Sequence, residues 1–268
     1  MDKYLIALDM DGTLLNDKKE ICQETKEYLK QLQKDGNIIV IASGRPIRAI
    51  KKYYDELELT SPIVCYNGAN IIAPNNPNFQ EVSFAFPKEI IKQIYQDLKD
   101  KYIDNVMCET NDKLWLIQDD EILGEFFWID NMELIKGNIS ETLTENPMTM
   151  IIRSISKNHN DKIIEAVKKN PSINIRFWSA PFDSYSEIYF NHISKAYGLK
   201  YIAKYFNIPS KNIIALGDAQ NDIEMFSLAG ISIAMKNADE DTKKHATIVS
   251  EFDNNNDGIM YALKKIIR

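Results

Sequence analysis

A chain of 268 residues with 44% hydrophobic and 26% charged side chains is long enough for about two domains, or for one domain carrying a large insertion, and has the composition of a folded globular protein rather than a disordered one. Thirty-nine acidic against thirty-two basic residues leave a formal charge of −7, which argues against nucleic acid or an anionic membrane surface as the main partner and leaves small anions gathered by local cations.

The start, Met1-Asp2-Lys3-Tyr4, lacks a basic stretch leading into an apolar one, and no uncharged apolar run reaches about 18 residues, so an unexported, cytoplasmic protein with no membrane span is expected. Leu5-Ile6-Ala7-Leu8 reads as a buried strand that ends abruptly in Asp9-Met10-Asp11-Gly12. A helix over 21–35 follows, closed by Gly36, then a buried strand over 38–42 that stops at Ser43-Gly44-Arg45-Pro46. Pro46 suits the first turn of a helix to about 57; a third strand covers 62–66, and Asn67-Gly68 marks a turn before 69–72. From about Ser83 the rhythm changes: a helix over 87–102, strands around 106, 114–117 and 148–155, a helix over 161–169, and strands over 173–178 and 185–190. Helices interrupting groups of adjacent strands predict an inserted α+β domain.

After about Asn191 the strand–helix alternation resumes. A helix from about Ser194 carries Leu199, Ile202, Ala203 and Phe206 on one face; then come a strand over 213–216, the segment Gly217-Asp218-Ala219-Gln220-Asn221-Asp222, a helix before Gly230, a strand over 231–235 and a terminal helix over 258–267. Asp239-Glu240-Asp241 reads as a solvated helix start complementing the helix dipole. The predicted fold is α/β: a doubly wound parallel-sheet, Rossmann-like core from residues 1–82 and 189–268, with an α+β domain inserted at 83–188.

Ligands of open parallel sheets bind beyond the carboxyl ends of the strands. Three ends carry polar residues: Asp9 with Asp11, Ser43 with Gly44, and Asp218 with Asn221 and Asp222. Residues two apart on an extended segment point the same way, so Asp9 and Asp11 can converge on one point. If these strands are neighbours, four carboxylates meet, and each like-charged pair at about 4 Å costs on the order of 4 kcal/mol at an effective dielectric near 20. A divalent cation turns that repulsion into coordination. The donors are all oxygen, while Cys22, Cys65 and Cys108 are scattered, as are His159, His192 and His245, so Mg2+ is the first choice and a zinc site or disulfide framework is not expected.

Asp9-Met10-Asp11-Gly12-Thr13, Ser43 after an apolar strand, Lys195 at a helix start, and Gly217-Asp218-Ala219-Gln220-Asn221-Asp222 resemble the four ordered motifs of the haloacid dehalogenase superfamily. Within it, Ala42-Ser43-Gly44-Arg45-Pro46, Asn67-Gly68-Ala69, Ile193-Ser194-Lys195 and Asp257-Gly258 resemble the Cof-like phosphatases, whose α+β cap matches the insertion in position and size. Ala219-Gln220 and Ala196 stand where glycine is common in that group and bear on loop shape and substrate fit.

The resemblance implies a magnesium-dependent phosphatase acting on small phosphorylated metabolites, sugar phosphates foremost. Asp9 would be the nucleophile and Asp11 the acid and base. Asp9, the Asp11 carbonyl and Asp218 would hold the metal, with Asp222 behind them. Ser43, the Gly44 and Met10 amides, Lys195 and Asn221 would cradle the phosphoryl group. Outside that context Lys195 reads as a solvated lysine and Ser43 as a helix cap. Arg45 fits a substrate contact or an ion pair, and His192, Trp115, Trp128 and Trp178 read as packing residues. Two rivals share the core chemistry, a sugar phosphomutase and a receiver-like phospho-accepting module, but the latter has no use for Asp11 or a cap. A nucleotide-dependent oxidoreductase lacks its glycine fingerprint, since Gly12 stands alone. Oligomeric state has no signature in the sequence.

Overall fold

The structure, a computed structural model, describes residues 3–127, 132–178 and 182–267. In chain order the elements are β1 (Leu5–Leu8), α1 (Gln23–Lys34), β2 (Ile38–Ile41), α2 (Ile47–Glu56), β3 (Ile63–Cys65), β4 (Asn70–Ile72), β5 (Val82–Ser83), α3 (Lys88–Leu98), β6 (Ile103–Glu109), β7 (Lys113–Leu116), α4 (Glu121–Phe127), β8 (Glu133–Lys136), α5 (Ile139–Thr142), β9 (Thr149–Ser154), α6 (Asn160–Lys168), β10 (Ile173–Phe177), β11 (Tyr185–Phe190), α7 (Lys195–Tyr205), β12 (Ile213–Gly217), α8 (Ile223–Leu228), β13 (Ile231–Ala234), α9 (Glu240–Lys244), β14 (Ile248–Val249) and α10 (Gly258–Ile266). Two compact units result, Met1–Val82 with Ile193–Arg268, and Ser83–His192. No helix among the described residues is long and apolar enough to cross a membrane.

The first unit is built on a parallel sheet of order β14-β13-β12-β1-β2. An isolated parallel bridge between Ala42 and Val64 brings β3 alongside β2. The central strands are continuous apolar runs because both faces are covered. Leu5, Ala7, Val40 and Ala215 pack with Leu199, Ile202 and Ala203 of α7 and with Met225 and Phe226 of α8. The alternate residues Ile6, Leu8, Ile39, Ile41, Ile214 and Leu216 are buried as well, on the opposite face. Helix ends follow local chemistry: Gly36 takes φ +93° just beyond α1, and the Ser194 hydroxyl accepts the Tyr197 amide, so α7 begins at Lys195.

The second unit is a sheet of order β10-β11-β9-β6-β7-β8, antiparallel except for β7 with β8. One face carries α3, α5 and α6 over Val106, Cys108, Trp115, Met150 and Ile152; the other carries α4 over Met107, Leu114, Leu116 and Ile151. Trp115 is wholly buried and donates its indole N–H to the Thr142 carbonyl, and Trp178 stacks on Tyr185, both packing roles; Trp128 lies outside the described residues. Buried Asp120 accepts from Arg153, Asn105 and Tyr185 and caps α4 through the Leu123 amide.

The sequence does not predict the short elements α4, β8 and α5; at seven, four and four residues they are too brief for a clear periodic signal. Helix α3 stops at Leu98 rather than near 102, with Asp100 at φ +66° ending it. The chain returns to the first unit at Ile193, later than 189, because β11 runs on to Phe190 and pairs with β10 there.

Candidate active site

Because β1 lies between β12 and β2, the three strand ends marked in the sequence converge. The ladder reaches the sheet's rim: the Asp9 amide donates to the Leu216 carbonyl at 3.0 Å, Ala42 to Leu8 at 2.8 Å and Ser43 to Val64 at 2.9 Å. Beyond Asp9 the chain turns back, with the Leu14 amide on the Asp9 carbonyl and those of Thr13 and Leu15 on the Met10 carbonyl. Gly12 makes the turn at φ +77°, where a Cβ would lie 2.2 Å from Asp218 Oδ2. Only glycine permits so close an approach of the two acidic loops.

Lys195 enters from the first turn of α7. That helix comes close to β3 because Gly198 has no side chain: a Cβ there would meet Val64 Cγ1 at 2.6 Å. The wholly buried Lys195 ammonium donates to Asp9 Oδ1 at 2.5 Å and to Asp222 Oδ1 at 2.7 Å. The second oxygen of Asp222 accepts the Asp218 and Ala219 amides at 2.9 and 3.0 Å, and Thr13 Oγ1 donates to Asp218 Oδ1 at 2.9 Å. One carboxylate oxygen from each of Asp9, Asp218 and Asp222 lies within 4.8 Å of the others.

The electrostatics follow from this packing. Burial pushes the Asp9 carboxyl up to about 7, with Lys195 opposing and Asp222 and Asp11 reinforcing the rise. Burial beside Asp9 and Asp222 likewise raises Asp218, whereas Lys195 stays firmly protonated: burial opposes its charge, but two carboxylates outweigh it. A buried cluster in which two carboxyls resist ionisation together is short of positive charge. Asp9 and Asp218 have oxygens to offer a cation; Asp222 already serves Lys195 and two amides, which puts it in a supporting place.

Asp11 faces different partners. Arg45 grips it with two hydrogen bonds of 2.6 Å, from Nε to Oδ2 and from Nη2 to Oδ1, and Lys19 adds a third at 2.9 Å. Burial works against the charge, but the Arg45 and Lys19 contacts outweigh it and hold the carboxyl below its ordinary value. Arg45 is therefore an ion-pair partner here. The Ser43 hydroxyl accepts the Arg45 amide at 3.2 Å, Gly44 packs beside the Asn67 carboxamide, and Asn221 donates to Asn67 Oδ1 at 3.0 Å. The side chain of Met10 is wholly buried. Asn67, in the left-handed region at φ 51° with its amide on the Ser43 carbonyl, was legible only as a turn residue; the structure makes it the link between the Ser43 and Asn221 loops.

The family model for haloacid dehalogenase-like hydrolases matches residues 6–263. A relative from Bacillus subtilis, the 5-amino-6-(5-phospho-D-ribitylamino)uracil phosphatase YitU, is 34% identical over 98% of this chain and 97% of its own. A second from the same organism, named for the same activity and called YcsE, is 28% identical over 98% of this chain and 96% of its own. Among solved structures, a haloacid dehalogenase-like hydrolase from Bacteroides thetaiotaomicron superposes with TM-score 0.82 at 27% identity, covering 99% of this chain and all of that one.

Proposed function

The chain belongs to the haloacid dehalogenase-like hydrolases and is a phosphatase, and from that premise we propose that it hydrolyses monoesters of small metabolites, sugar phosphates foremost, with magnesium and through a phosphorylated Asp9. The observation that carries the reading is Asp9 itself: a buried carboxylate at a strand end, paired to Lys195 and set beside Asp218. Two relatives named for removing phosphate from a ribityl chain support a sugar-like alcohol as the leaving group.

The donor set suits a hard cation, with Asp9, Asp218 and the Asp11 carbonyl as its ligands. When bound, magnesium offsets the charge of the phosphoryl oxygens. Asp9 attacks phosphorus in line, the phosphorus–oxygen bond to the alcohol breaks, and Asp11 gives the departing oxygen its proton. Asp11 then takes a proton from water, whose oxygen attacks the phosphoryl group and frees Asp9 and inorganic phosphate. Lys195, Ser43, Asn221 and the Gly44 and Met10 amides stabilise the charge on the transferring group. A carboxylate clamped by a guanidinium cannot donate a proton, so the Arg45–Asp11 pair is a resting arrangement that opens before protonation. The free thiols Cys22, Cys65 and Cys108 suit a reducing cytoplasm.

Phosphate release from p-nitrophenyl phosphate, with magnesium and with chelator, tests the proposal. Activity should require the metal and vanish in Asp9→Asn; activity unaffected by that change rejects Asp9 as nucleophile. Transfer to a second sugar hydroxyl instead of to water would identify a mutase.

A further inference from the structure

The turn that carries Asp11 is held by two side chains from the far end of the chain that the catalytic steps do not use. Asn237, just beyond β13, donates its carboxamide to the Gly12 carbonyl at 2.7 Å. Asn254, in the loop before α10 and only 7% exposed, donates to the Leu15 carbonyl at 2.9 Å. The two are joined, since the Asn254 amide donates to Asn237 Oδ1 at 3.2 Å. Between their attachment points lies Thr13, whose hydroxyl meets Asp218, and directly before them lies Asp11.

The holders are themselves fixed. The Ser250 hydroxyl accepts the Lys236 amide at 2.9 Å and donates to the Phe252 carbonyl at 2.6 Å, tying the Asn237 turn to the Asn254 loop. At the loop's end Asp257 accepts both the amide and the hydroxyl of Thr25, at 2.9 and 2.8 Å, and Asn255 Oδ1 accepts the Asp17 amide at 3.0 Å. The loop thus grips the segment after Asp11 at several points, and Asn237 and Asn254 grip it nearest the acid.

Two exchangeable waters could satisfy the Gly12 and Leu15 carbonyls equally well. What only anchored carboxamides add is position, and Gly12, with the widest conformational freedom, is where a turn most needs it. Misplacement of a reacting group by about 1 Å can cost on the order of a hundredfold in rate. We propose that Asn237 and Asn254 are positioning residues for phosphoryl transfer, setting Asp11 in line to protonate the leaving oxygen. The inference rests on the phosphatase reading above.

The test compares p-nitrophenyl phosphate with phenyl phosphate, esters of nearly equal shape whose leaving phenolates differ in basicity. A misplaced acid harms the more basic leaving group more. In Asn237→Ala and in Asn254→Ala, kcat/KM on phenyl phosphate should fall at least about threefold further than on p-nitrophenyl phosphate. Asn256→Ala, in the same loop but bonded to Asp253, should keep the wild-type ratio. Should Asn254→Ala not fold, exposed Asn237 carries the test alone. A wild-type ratio in the Asn237 and Asn254 variants, with the wild type active, overturns this inference and leaves the phosphatase reading standing; a wild type that hydrolyses neither ester overturns both.

Discussion

The Lys195 ammonium lies 2.5 Å from Oδ1 of Asp9, in surroundings that admit almost no solvent to either side chain. One cation from α7 serves two carboxylates, Asp9 beyond β1 and Asp222 beyond β12, that would otherwise be buried uncompensated. Lys195→Met should lower kcat/KM by about a hundredfold or more and destabilise the fold by about 3–5 kcal/mol, less whatever protonation of Asp9 recovers. Urea titration and steady-state kinetics on the same preparation measure both.

The raised Asp9 carboxyl links metal to protons. Its value, about 7 through burial, exceeds the ordinary carboxylate value, so between about pH 4 and 7 the metal-free folded protein holds a proton that the unfolded chain has lost. That contribution to stability is complete below the unfolded value and disappears as pH rises through about 7. A cation must displace the proton, so magnesium affinity should weaken as pH falls below about 7, by about tenfold per unit for each proton displaced, with proton release on binding. Calorimetry at pH 6 and 8 in buffers of different ionisation enthalpy reads both quantities; an affinity indifferent to pH would contradict the assigned ligands.

Asp11, clamped by Arg45, is displaced in the opposite sense from Asp9. Held below its ordinary value, the Asp11 carboxylate contributes stability that is present above the unfolded pKa and lost as pH falls through the folded one. Arg45→Ala should therefore be less stable than wild type at pH 7, with the gap closing as pH drops below about 4. The same variant frees Asp11 to hold its proton to higher pH, moving the alkaline limb of kcat/KM upward.

Gly12→Ala should remove activity without touching a reacting group. Its φ of +77° and the 2.2 Å approach of a Cβ to Asp218 Oδ2 leave the loop no room to accept a side chain in place. We expect a cost of about 1–3 kcal/mol and a loss of magnesium binding by calorimetry, since Asp218 must move aside.

Much of this was legible in the sequence, for reasons particular residues explain. Apolar runs at β1, β2 and β12 betray strands covered on both faces, and the carboxylates that follow β1 and β12 have few roles besides binding a cation. The face of α7 was readable because Leu199, Ile202 and Ala203 repeat at helical spacing, and all three are buried. What escaped was long-range pairing. Arg45 finds Asp11 across 34 positions and Asn254 finds Leu15 across 239, and nothing in local spacing encodes either contact. Asn67 was hidden by an adequate local explanation, the turn with Gly68. The short elements α4, β8 and α5 escaped because helices of one or two turns and a four-residue strand carry too little of a period.

The central claim, covalent phosphorylation of Asp9, is tested most directly by a crystal structure of the protein with magnesium and beryllofluoride. Beryllium should bond to an Asp9 carboxylate oxygen, with the cation held by Asp9 and Asp218. An adduct on any other side chain, or fluoride complex bound without a bond to Asp9, would contradict it.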